Sequence, residues 1–65
     1  MDAAEILKLC RKHAKLSLVA LSAASTVSTT TIQKVEHGEQ DCRISTFEKL
    51  LDAMGYELEV VRKDE

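Results

Sequence analysis

Residues 16–38 read LSLVALSAASTVSTTTIQKVEHG. Ser17 is a candidate N-cap, with Leu16 ahead of it as a hydrophobic staple, and the pair predicts a helix over roughly residues 18–24. Ser25-Thr26-Val27 reads as a tight turn. Ser28 then caps a second helix that covers Thr29 to about Val35 or Glu36. Gly38 stops that helix, because glycine takes the left-handed conformation that a helix C-terminus favours. Leu21, Val27, Ile32 and Val35 are the apolar positions that would lock the two helices together. The second helix then turns Thr29, Thr30, Gln33 and Lys34 outward. A helix held forward at a fixed angle fits the major groove of B-DNA, and these side chains suit base edges.

The chain extends the helical pattern on both sides. Asp2 followed by Glu5 fits a capping pattern, and Leu7, Cys10 and Ala14 recur at helical spacing. Ile6 and Leu9 widen that apolar face, which predicts a first helix over about residues 3–13. After Gly38, residues 39–42 form a polar loop. A fourth helix starts at Arg43 or Ser45, puts Phe47, Leu50, Leu51 and Met54 on one face, and ends at Gly55. The period then changes. Tyr56, Leu58 and Val60 alternate with Glu57, Glu59 and Val61, which reads as a strand. It is the chain's single strand signal, and its backbone groups need partners. Two readings stand at this point: the same strand of a second copy, pairing as an antiparallel ribbon about a two-fold axis, or a frayed tail. Residues 1–55 are thus one helical domain, and 56–65 a strand and tail.

At 65 residues the chain is one small domain. A core of this size is marginal, and oligomerisation is a common remedy. Composition is 45% hydrophobic and 31% charged, with no proline and two glycines, as expected of helices joined by short turns. No apolar run is long enough to span a membrane, and the acidic start Met1-Asp2-Ala3-Ala4-Glu5 is unlike a secretory signal. These features predict a cytoplasmic protein. Cys10 and Cys42 form no C-x-x-C pair and would stay as thiols in a reducing cytosol, Cys10 as a small core residue and Cys42 as a partly exposed loop residue. His13 and His37 have no ligand spacing with the cysteines, and no nucleophile, base and orienter occur together. The expectation is no enzyme, no metal and no cofactor. The net charge of −2 hides an asymmetry. Residues 1–35 carry five cations against two carboxylates, and residues 36–65 carry four against nine. A basic front and an acidic back would orient the molecule on a polyanion.

Leu16, Ser17, Leu21, Val27, Ser28, Ile32, Val35, Glu36 and Gly38 fall in register with the phage repressor and Cro type of helix-turn-helix, the XRE family, which this stretch resembles. The segment Phe47–Gly55 resembles that family's fourth helix. Two positions depart from the pattern: Leu18 stands where a phosphate-contacting glutamine is usual, and Thr26 replaces the turn glycine. The resemblance implies a mainly α, four-helix repressor-like domain and a dimeric repressor reading a palindromic operator on double-stranded DNA. It also implies a structural ion pair between Arg11 and Glu36. Base contacts fall to Thr29, Thr30, Gln33 and Lys34. Ser17 and Ser28, with the first amides of their helices, are placed for phosphates, and Lys15, His37 and Arg43 are further phosphate candidates. The order helix, Gly55, then Tyr56 to Val61 resembles HipB-type antitoxins, whose terminal strands pair across a homodimer. That implies Tyr56, Leu58 and Val60 as the dimer strand. It also raises a second function, an antitoxin that holds a cognate toxin and autoregulates its operon, with the acidic second half facing a basic partner.

Overall fold

The computed structural model describes residues 2–64. It contains four helices: α1 (Ala3–Ala14), α2 (Leu18–Ser25), α3 (Thr29–Glu36) and α4 (Ile44–Ala53). α1 packs on α3 and α4, and α2 packs on the same two helices.

Local chemistry sets most of the helix boundaries. Asp2 is extended and its carboxylate accepts the Glu5 N–H at 3.0 Å, so α1 starts at Ala3. Ser17 Oγ accepts the Ala20 N–H at 3.0 Å and Ser28 Oγ accepts the Thr31 N–H at 3.1 Å, as N-caps do. α4 starts differently. Arg43 is its N-cap through extended backbone alone, without a side-chain cap, and Ser45 lies inside the first turn. Gly38 closes α3 at φ 75° with its N–H on Val35 O at 3.1 Å, while the Glu39 N–H reaches Lys34 O at 2.8 Å. Gly55 and Tyr56 close α4 in the same way on Asp52 and Leu51. α1 uses this closure too, but with Lys15 at φ 58° in the left-handed position. A side chain there costs about 1–2 kcal/mol relative to an unstrained residue.

Leu7, Leu21, Ile32 and Leu50 are fully buried, and Val35, Phe47 and Leu51 complete the core. Leu16, Leu18, Val27, Cys10, Cys42 and Met54 pack around it. Leu18 therefore spends its side chain on the core. Leu9 corrects the expected α1 face, being 43% exposed. It sits two residues from Leu7, about 200° around the helix, and so points away from the core that Leu7 enters.

The strand expected over Tyr56, Leu58 and Val60 is not formed in this single chain. Among the described residues, 56–64 have no regular secondary structure. The physical reason is that a strand's N–H and C=O groups need a neighbouring strand, and the rest of the chain is helical. Val60 is 99% exposed. Among the described residues, no helix is long and apolar enough to cross a membrane.

Candidate nucleic-acid interface

The angle between α2 and α3 is set by three consecutive residues. Ser25 is buried. Its hydroxyl donates to Leu21 O at 2.7 Å and accepts the Val27 N–H at 3.2 Å. One side chain thus ties the last turn of α2 to the turn's exit. Thr26 adopts the left-handed conformation, φ 63°, and its hydroxyl donates to Ser25 O. The threonine that replaces the usual glycine therefore keeps the glycine's backbone geometry. Ser25 is the positioning residue that the sequence reading missed. The sequence places it in a tight turn, and its two partners are backbone groups that leave no trace in composition.

Past the turn, Ile32 and Val35 face inward and fix the rotation of α3. Thr30, Gln33 and Lys34 are exposed as a consequence, and Thr29 is half-buried. Three of the four candidate base-reading side chains therefore lie on the solvent side of α3, with Thr29 at its margin. Ser28 is more committed than Ser17. Besides its cap bond, the Ser28 hydroxyl donates to Thr31 Oγ1 at 3.0 Å. Lys15, Ser17, His37 and Arg43 are exposed. His37 Nδ1 lies 3.7 Å from Glu39 Oε2, which places a carboxylate beside one candidate phosphate contact.

At the end of α3, Arg11 and Glu36 come together. Arg11 Nε donates to Glu36 Oε2 at 2.7 Å and Nη2 to Oε1 at 2.9 Å, while Nη1 donates to Leu16 O at 3.1 Å. Glu36 is only 5% exposed. Its hydrogen bonds hold the Arg11 pKa above the ordinary arginine range, against the opposing effect of burial. The guanidinium joins α1, the linker before α2 and the end of α3, while Ser25 ties the end of α2 to the turn that leads into α3.

Cys10 and Cys42 are free thiols, both partly buried, and burial pushes the Cys42 pKa up. Among the described residues, no group of three or more His, Cys, Asp or Glu side chains could hold a metal ion. Compared with known proteins, residues 7–61 match the family described as Helix-turn-helix. No curated protein and no solved structure matches the chain.

Proposed function

This chain belongs to the XRE-type helix-turn-helix family of DNA-binding transcriptional regulators, and from that premise we propose that it is a sequence-specific, dimeric repressor that reads a palindromic operator with α3. One observation carries this reading. α3 is fixed in position by Ser25, Ile32, Val35 and the Arg11–Glu36 pair, while Thr30, Gln33 and Lys34 on its outer side are exposed.

In the major groove, Gln33 would pair with adenine through two hydrogen bonds and Lys34 with guanine, while Thr29 and Thr30 place methyl groups for thymine. The first amides of α2 and α3, with Ser17 and Ser28, face phosphates. Ser17 is the better hydroxyl donor, since its proton has no internal acceptor among the described residues, whereas that of Ser28 is spent on Thr31. Lys15 and Arg43 add positive charge at either side, and His37 is a further candidate phosphate contact.

The dimer rests on the period-two segment from Tyr56. Its apolar members are exposed in the single chain, and a second copy supplies the missing ladder partner. Half-sites then lie ~10 base pairs apart, centre to centre. Footprinting on DNA upstream of the protein's own coding region tests the reading. A protected site with two-fold symmetry is expected, and uniform, sequence-independent protection would count against it.

A further inference from the structure

Ser28 and Thr31 are joined twice at the start of α3. Ser28 Oγ accepts the Thr31 N–H at 3.1 Å and donates its own hydrogen to Thr31 Oγ1 at 3.0 Å. Thr31 Oγ1 therefore has an acceptor position filled from inside the protein. Its own hydrogen has no internal acceptor among the described residues. A threonine hydroxyl can donate or accept as its neighbours require, and here Ser28 leaves it set to donate. We propose that Thr31 is a further DNA-contacting residue of α3, and that its hydroxyl donates to an acceptor atom of the DNA, a phosphate oxygen or the acceptor edge of a base. This rests on the reading of α3 proposed above and adds to it a residue and a direction of donation.

The position of Thr31 on the helix fits the contact. Residues three and four apart are neighbours on a helix surface. Thr29 and Gln33 therefore form one flank of the outer side, and Thr31 and Lys34 form the other, with Thr30 between them. Thr31 is half-buried, as Thr29 is. Lys34 gives the Thr31 flank a positive charge. DNA meets that flank with acceptors, which are phosphate oxygens along either wall of the groove and N7 and O6 on the edge of a guanine. A hydroxyl donor beside a cation suits each of these. Ser28 is the positioning residue, because the hydroxyl that caps α3 also fixes which way Thr31 directs its hydrogen.

Binding of the intact chain to the duplex it selects from random DNA, and to a scrambled duplex, tests the assignment. Thr31→Val removes the hydroxyl and keeps the branched shape. The expected result is binding weakened about fivefold per half-site, with little change in melting temperature. Thr31→Ser puts the hydroxyl back and should recover most of the loss. Equal weakening on both duplexes supports the contact and assigns it to phosphate, while weakening on the selected duplex alone supports it and assigns it to a base. Ser28→Ala should lower the melting temperature through the lost cap, yet weaken binding less than Thr31→Val, since the donor itself remains. If Thr31→Val binds both duplexes as the native chain does, or if Ser28→Ala binds more weakly than Thr31→Val at a temperature where both are folded, the Thr31 donor is wrong and the reading of α3 stands. If the native chain selects no sequence, the reading of α3 fails and the Thr31 contact with it.

Discussion

Arg11 and Glu36 are joined at two points, Nε to Oε2 at 2.7 Å and Nη2 to Oε1 at 2.9 Å, with the carboxylate almost wholly removed from water. Removing either partner leaves the other with an uncompensated charge. Arg11→Ala or Glu36→Ala is expected to cost ~3 kcal/mol of stability, and the double substitution less than the sum of the two. Urea denaturation of the four proteins checks this. Purely additive losses would mean that the pair is not coupled. The Arg11 pKa is raised in the folded state, so its contribution is complete below the unfolded value and fades only as pH rises beyond it. Through neutral pH, Arg11 therefore adds no pH dependence to stability.

Ser25 makes a second prediction. Ser25→Ala removes the acceptor of the Val27 N–H and the donor to Leu21 O. The expected loss is about 1–2 kcal/mol, as for a polar group left without its partner. Operator affinity should fall as well, because the same hydroxyl sets the approach of α3. Measuring both in one variant separates this from a simple packing defect, which would leave the affinity of the folded fraction intact.

Lys15 and Gly38 close their helices with the same left-handed geometry. Substitutions at them should have opposite signs. Gly38→Ala is expected to destabilise by about 1 kcal/mol. The loss is purely conformational, since an added Cβ at Gly38 meets nothing within 4 Å. Lys15→Gly relieves strain but frees the unfolded chain, for a smaller net gain of about 0.5 kcal/mol. Thermal melts of the two variants read the signs directly.

Much of this was legible because single residues perform local tasks. Asp2, Ser17 and Ser28 cap, and Gly38 and Gly55 stop, whatever surrounds them. Leu7, Leu21, Ile32, Val35, Leu50 and Leu51 repeat at helical spacing and are all buried. What escaped depends on the assembled chain. Lys15 is left-handed because the linker must turn there, and nothing about lysine announces it. The apolar reading of Leu9 ignored its angle to Leu7. Arg43 caps through backbone alone, so the search for a capping side chain pointed to Ser45 as well. The segment after Gly55 alternates as a strand, yet alternation cannot supply a pairing edge, and one chain shows none among the described residues.

Cys42 is a smaller case. Burial raises its pKa, so the neutral thiol is favoured in the folded state. That contribution to stability is present below the unfolded thiol's pKa and is lost as pH rises through the folded value. Alkylation by iodoacetamide at mildly alkaline pH should be slower at Cys42 in the folded chain than in urea, because less thiolate is present. Peptide mapping after timed labelling follows the two states, and equal rates would contradict the burial.

The central claim is that the outer side of α3 reads base sequence, and its most direct measurement is discrimination. The native chain is used to select a preferred site from random DNA, and binding to that site and to a scrambled duplex is then compared for the native protein, Gln33→Ala and Lys34→Ala. The native protein should select a two-fold symmetric site. Each substitution should reduce discrimination by ~1–3 kcal/mol, an amount typical of one base contact, with no loss of thermal stability, since both side chains are exposed. Selection of no sequence, or unchanged discrimination in both variants, would contradict the account.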